Sequence, residues 1–282
     1  MYESFLGTET GGPAEGTKEH STLEQEMGFS YRTLLGEMMY AYVSCRLDVA
    51  YAITTLSKFT TRPTKLHYQY LKGLLGYLNR TKSWGIRYHR TCDPSSFLPD
   101  LPDGDFSSQP TPLPSEFSKF PSSNPSELTY YVDAAYANDL RQRRSTTGYA
   151  ITMAGGSIAY RSKTQSVTAL SSTEAEFFAA VSASKDILYL RSVLSDLHFP
   201  LSNPTPLYED NEACIKVIKS RHPTERTRHI DTPAFCIQHW FRQGDVKPIH
   251  IPGILNPADA NSKPLGWVLH SRHSRRMMGH YQ

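Results

Sequence analysis

The stretch Ser171-Ser172-Thr173-Glu174-Ala175-Glu176 decides how the chain is read. It is short and polar, and it opens a long apolar-periodic run. Ser171 stands where a helix N-cap would, and Glu174 follows three residues on, the spacing of a capping box. Phe177, Val181 and Leu188 then share one stripe of a helix. Taken alone, Glu174 is a helix cap. Its company suggests more, because Asp133, Asp210 and Asp259 each fall at a strand-to-loop or loop-to-helix junction. Four carboxylates on four elements of one α/β domain fit a metal site for phosphodiester chemistry. Mg²⁺ is a hard cation that prefers carboxylate oxygens. Two such ions about 4 Å apart can clamp the attacking and leaving oxygens of a phosphodiester. Spacing alone leaves blander roles equally open: a strand-end polar residue at Asp133, a turn former at Asp210, a helix-dipole partner at Asp259.

Outward from this stretch, residues 128–266 read as one α/β unit. Leu128 to Asp133 alternates as a strand. A polar loop with Arg141, Arg143 and Arg144 leads to a second strand over 148–153. Ala154-Gly155-Gly156 turns the chain into a third strand over 157–161. The helix that opens at Ser172 runs to about Leu197, and a fourth strand ends at Asp210. Asn211 caps a short helix, and a basic loop, 221–229, leads to another helix through Ile237 and Trp240. A fifth strand over 246–251 precedes a last helix opened by Asn256-Pro257-Ala258-Asp259. This order predicts a mixed sheet: hairpins among the first three strands, then crossover helices. Ligands of open α/β sheets gather outside the carboxyl ends of strands, where Asp133 and Asp210 are expected.

The flanks differ in character. Residues 1–29 are rich in Gly, Thr and Glu and read as a disordered lead-in. Residues 30–90 are helical in pattern. Leu34, Leu35, Met38, Met39 and Tyr42 make one apolar face. A second helix follows Asp48 as N-cap and a third follows Pro63, with a short strand expected over 84–88. Residues 91–127 carry eight interspersed prolines among serines and read as a linker. Residues 267–282 form a basic tail without readable chemistry.

Composition sets outer bounds. The 282 residues allow one or two domains, and 39% hydrophobic content supports a core. A net charge of +3 permits a nucleic-acid partner without requiring one. Cys45, Cys92, Cys214 and Cys236 have no metal or disulfide spacing and read as intracellular thiols. No apolar run reaches the roughly 18 residues of a membrane span, so no membrane partner is expected.

Several runs resemble the ribonuclease H domain of copia-type retrotransposon polyproteins. They are Tyr131-Val132-Asp133-Ala134, residues 143–149, Ser162-Lys163-Thr164-Gln165, residues 169–176, Asp210-Asn211, Arg226-Thr227-Arg228-His229-Ile230, Ala258-Asp259 and Lys263-Pro264-Leu265. Residues 31–88 resemble the C-terminal part of the reverse transcriptase just upstream, through Gly36-Glu37-Met38-Met39-Tyr40, Asp48-Val49-Ala50-Tyr51-Ala52 and the run from His67 to Tyr77-Leu78. The family usually has Thr-Arg-Pro-Asp where this chain reads Cys45-Arg46-Leu47-Asp48, and a Trp where Tyr160 stands.

The resemblance implies a ribonuclease H-like mixed five-stranded sheet with flanking helices, preceded by a small helical segment. It implies an endonuclease that hydrolyses the RNA strand of RNA–DNA hybrids with two Mg²⁺ ions, or Mn²⁺ in their place. Asp133, Glu174, Asp210 and Asp259 would be the catalytic, metal-binding carboxylates. From the residues themselves, Arg143, Arg144, Arg226, Arg228 and His229 are the candidates to touch nucleic acid, against the alternatives of a solvated loop for the arginines and a plain surface histidine at His229. Further partners would be the hybrid and the remainder of the polyprotein, in the cytoplasm or within a virus-like particle. Tyr131-Val132-Asp133-Ala134 is not a polymerase Tyr-x-Asp-Asp motif, since Ala134 replaces the second aspartate, and polymerase activity is expected to be absent. Two rivals stand beside this reading: an inactive nucleic-acid-binding remnant of the same polyprotein, and a DNA-cutting member of the same nuclease superfamily.

Overall fold

The computed structural model of the chain describes residues 11–89, 127–139, 141–220 and 231–280. They form two compact units that divide between residues 85 and 86.

The first unit is helical: α1 (Lys18–Met27), α2 (Tyr31–Ser44), α3 (Ala50–Ser57) and α4 (Lys65–Arg80). Tyr31, Leu35, Met38, Val49, Ile53, Leu56, Tyr68 and Leu71 make its core. The expected disordered lead-in is corrected here, because α1 lies inside it. Thr17 caps the helix by accepting from the His20 amide at 3.2 Å, and Leu23 and Met27, one turn apart, pack on the core. Gly28 ends the helix in the left-handed region, φ 81°, donating to the Glu24 carbonyl. Two caps and two apolar side chains suffice, and average composition hides them.

Asp48 does not cap α3. It sits in a 3₁₀ turn, Leu47–Val49, and is buried. Its carboxylate accepts Arg46 Nε at 2.9 Å and Nη2 at 2.7 Å, and the Tyr77 hydroxyl at 2.6 Å. Arg46 also donates to the Thr81 carbonyl at 3.0 Å and hydroxyl at 2.6 Å, which ties the α2–α3 turn to the end of α4. Removing one member of such a pair strands a buried charge, at a cost of about 3–5 kcal/mol. Asp48→Ala is therefore expected to lower the melting midpoint of this unit by about 10 °C or more. Circular dichroism at 222 nm would check it, and melting at the wild-type temperature would refute it.

The second unit holds β1 (Thr129–Ala135), β2 (Thr146–Met153), β3 (Gly156–Thr164), α5 (Ser172–Asp196), β4 (Thr205–Glu209), α6 (Glu212–Lys219), α7 (Asp231–Gln243), β5 (Val246–His250), α8 (Asp259–Ser262) and α9 (Trp267–Met277). The sheet order is β3-β2-β1-β4-β5. β1–β2 and β2–β3 are antiparallel; β1–β4 and β4–β5 are parallel. The expected fold, a mixed five-stranded sheet with flanking helices after a helical segment, is the one observed. Ala154 and Gly155, both at positive φ, make the tight β2–β3 turn.

β1 is the central strand, and its side chains alternate. Tyr130, Val132 and Ala134 enter the core built with Ala179, Ala180, Ala183 and Ile187 of α5. Tyr131 belongs to a smaller cluster with Tyr208, Ile251, Leu255 and Ala258. On α5 the buried stripe includes Ile187; Leu188, expected there, is half-buried.

Two boundaries differ from expectation. Residues 84–89 are not a strand. Arg87 and His89 make single amide bonds, to the Met278 and Ala154 carbonyls, both 2.8 Å, and no ladder forms. The basic tail contains α9, which buries His273, Ser274 and Met277. Ser157 donates to the Met277 carbonyl at 2.8 Å, and the Arg276 guanidinium lies over the Tyr131 ring. The buried positions of α9 are mainly polar, so no apolar period announces it. The proline-rich 91–127 segment lies outside the described residues except for Glu127, as does the 221–229 loop.

Candidate metal and catalytic site

Asp133 is held near the end of β1 and is almost fully buried. Asp210 follows the last residue of β4, the parallel neighbour of β1. Glu176 projects from the first turns of α5. One carboxylate oxygen from each of these three residues lies within 4.8 Å of the others. Asp259, the first residue of α8, joins from the side through Lys263. The Lys263 ammonium is 3.0 Å from Asp259 Oδ1 and 3.5 Å from Asp133 Oδ1. The Ser262 hydroxyl donates to Asp133 Oδ2. Three expected residues, Asp133, Asp210 and Asp259, are thus brought together.

Glu174 is not among them. Its amide donates to Ser171 Oγ at 3.2 Å, and its carboxylate accepts the Leu170 amide at 2.7 Å. It performs the capping that its spacing suggests. Glu176 stands two residues on, about 200° around the helix, and reaches the cluster instead. Glu176 lies in the capping stretch, but no role follows for it from the local pattern. The available signal was helical phase: Glu176 is in line with Ala180, Ala183 and Ile187, the stripe facing β1.

Glu209 was also missed. It is fully buried at the end of β4. Its Oε1 accepts the Asn211 amide at 3.0 Å, while among the described residues Oε2 meets no hydrogen-bond donor, and neither does Glu176 Oε2.

Crowded carboxylates resist ionisation. Burial, then Glu209, Asp133 and Asp210, push Glu176 well above the usual range, and Lys263 opposes them. Burial and then Asp133 push Asp259 up to about 8, again against Lys263. Asp210 is raised by burial and Asp133. Burial, then the carboxylates of Glu209, Glu176 and Asp210, raise the Cys214 thiol, which lies fully buried. Such a group of oxygen donors, two of them without a hydrogen-bond partner among the described residues, suits a hard divalent cation.

No protein-family model matches this chain. It is 31% identical over 233 residues to the retrovirus-related Pol polyprotein from transposon TNT 1-94 of Nicotiana tabacum, covering 83% of this chain and 15% of that protein. The 233 residues are more than either unit holds, so the match spans both. This chain is a homologue of copia-type retrotransposon Pol polyproteins. A secreted RxLR effector protein of Plasmopara viticola is 32% identical over 160 residues, 57% of this chain and 90% of that protein. Among solved structures, LC11-RNase H1, isolated from compost, superposes with a TM-score of 0.38 at 19% identity, covering 49% of this chain and 93% of that one.

In this Pol homologue the 256–263 segment is held against the sheet by specific bonds. Asn256 Nδ2 donates to the Val132 carbonyl at 2.7 Å, and Asn261 Nδ2 to the Tyr149 carbonyl at 3.0 Å. Gln165 fixes the start of α5 by donating to the Ala175 carbonyl at 2.8 Å. Gly148 faces Asp133 across β1–β2. A Cβ there would lie 2.7 Å from the Ser262 amide and 2.8 Å from the Ala258 carbonyl. Gly148→Ala is therefore expected to push α8 outward. Overpacking costs about 1–3 kcal/mol, so the melting midpoint of this unit should fall. A wild-type midpoint would show that this contact does not hold the segment.

Arg143 and Arg144 lie in the β1–β2 turn, Arg143 exposed with φ 53° and Arg144 half-exposed. Arg226, Arg228 and His229 fall outside the described residues. No helix among the described residues is long and apolar enough to cross a membrane.

Proposed function

We propose that this chain is a ribonuclease H-type endonuclease that hydrolyses the RNA strand of RNA–DNA hybrids. The observation that carries the reading is the convergence of Asp133, Glu176 and Asp210 at the carboxyl ends of β1 and β4, with Asp259 beside them. Asp133, Glu176, Asp210 and Asp259 would hold two Mg²⁺ ions. Bound there, the ions would supply positive charge where negative charge builds on the scissile phosphate. The chain's own part is placement. Ser262 fixes Asp133 by its hydrogen bond, Asn256 and Asn261 hold the α8 segment, and the rigid ends of β1, β4 and α5 present the oxygens. Arg143 and Arg144 would contact backbone phosphate, and the 2′-hydroxyl would mark the strand to be cut.

The chain spans about 15% of the length of the tobacco polyprotein, so activity by this chain alone is part of the proposal. The test is incubation with an end-labelled RNA–DNA hybrid, in Mg²⁺ or in chelator. Cleavage of the RNA strand only in Mg²⁺ supports the reading. Binding without cleavage would identify an inactive remnant, and cleavage of duplex DNA a different nuclease. Lys and Arg contacts release counterions from phosphate, so hybrid binding is expected to weaken steeply as salt rises from about 50 to 200 mM. A flat affinity over that range would argue against a backbone-tracking surface.

A further inference from the structure

Lys263 is placed unlike an ordinary surface lysine. It follows the four-residue α8, its amide donates to the Asp259 carbonyl at 3.1 Å, and its side chain turns back over the helix end. The ammonium then contacts two carboxylates of the cluster, Asp259 at 3.0 Å and Asp133 at 3.5 Å. Asp133 is nearly sealed from water, whereas the Lys263 side chain is 37% exposed. The cation therefore has a route out of the cluster and the carboxylates do not.

We propose that the Lys263 ammonium is a built-in counter-ion for Asp133 and Asp259, which a divalent cation displaces as it enters the carboxylate cluster. The inference rests on the metal-dependent reading above and adds to it how the site stays folded without metal. Buried like charges repel, and one ammonium against two of them lowers that cost. A divalent ion brings two charges to the same oxygens, so it competes with the lysine for them. Rotation about the half-exposed stem moves the ammonium into water, where solvation replaces the ion pairs. The consequence is a trade: Lys263 stabilises the metal-free protein and weakens the first binding of metal.

The test uses the full chain with Mg²⁺ alone and no nucleic acid. Lys263→Met keeps an unbranched stem and removes the charge; Lys263→Arg keeps the charge. In chelator, Lys263→Met is expected to melt several degrees below wild type. In calorimetric titration it is expected to bind Mg²⁺ about tenfold more tightly, with Lys263→Arg close to wild type. Damage to structure alone would lower both stability and affinity, so the opposite signs identify the counter-ion. An unchanged melting midpoint in chelator, or Mg²⁺ affinity that is unchanged or weaker, would overturn the proposal. Wild type that binds no Mg²⁺ would overturn the metal reading and displacement with it; the chelator measurement, which needs no metal, separates the two failures. If Lys263→Met does not fold, adding Asp259→Asn removes the repulsion as well. The double variant is expected to fold, and failure to recover would overturn the counter-ion role.

Discussion

Glu176→Gln is expected to reduce hybrid cleavage by about a thousandfold or more, while Glu174→Gln stays within about threefold of wild type. The two residues share one turn of α5 but not one task. Glu176 offers a carboxylate oxygen within 4.8 Å of Asp133 and Asp210. A neutral amide there cannot hold a hard cation as a carboxylate does, and charge stabilisation by such a cation is worth several kcal/mol of barrier; each 1.36 kcal/mol is a factor of ten. Glu174 instead accepts the Leu170 amide at 2.7 Å. A Gln oxygen can accept the same bond, and losing the favourable charge at the helix start typically costs 0.3–1 kcal/mol of stability. Stability should separate the variants in the opposite sense. Glu176→Gln removes a buried charge repelled by Glu209, Asp133 and Asp210, and should melt higher than wild type in chelator. Single-turnover rates on a labelled hybrid, with thermal midpoints alongside, would check both. Full activity in Glu176→Gln together with an inactive Glu174→Gln would reverse the assignment.

In chelator, the second unit is expected to lose stability as pH rises from about 4 to about 8, and Mg²⁺ is expected to restore it. Asp259 titrates near 8 in the folded protein, against 3.8 ordinarily. Glu176, Glu209 and Asp210 are displaced upward as well. A raised folded-state pKa means that the folded protein keeps protons that the unfolded chain has released. Stability from these groups is complete below their ordinary pKa values, near 4, and is lost as pH climbs through the folded values. Above pH 8 the full repulsion remains unless a cation is bound. Binding to the folded state alone at a hundredfold excess over Kd contributes about 2.7 kcal/mol. For a unit of this size that is roughly 5–10 °C in Tm. Asp210→Asn should raise the midpoint in chelator at pH 8 and shrink the Mg²⁺ increment. Melting curves at pH 5 and pH 8, with chelator and with saturating Mg²⁺, decide the matter. A midpoint that rises with pH in chelator, or ignores Mg²⁺ at pH 8, would mean that these carboxylates do not act as one cation-binding group.

Local sequence determined the order and type of the elements from β1 to α8. Alternation marked β1, Ala154-Gly155 marked the hairpin, and Ser171 and Asn211 marked two helix starts, because each of these signals acts within a few residues along the chain. Junction position likewise pointed to Asp133, Asp210 and Asp259, since strand ends place their residues wherever the sheet goes. Whether Glu174 or Glu176 enters the site depends on the rotation of α5 about its axis. That rotation is set by the packing of Ala179, Ala180 and Ala183 against Tyr130 and Val132 on another element. Glu209 and Lys263 gained their places in the same way. One is buried because β4 ends beneath the cluster, the other is drawn in because α8 is folded over Gly148. Asp48 shows the rule in the first unit. Its spacing suggests a cap, but its partners include Tyr77 and, through Arg46, Thr81, at 29 residues' separation and more. A local pattern records what a residue can do with its neighbours in sequence, and only the tertiary structure decides which distant charge it must neutralise.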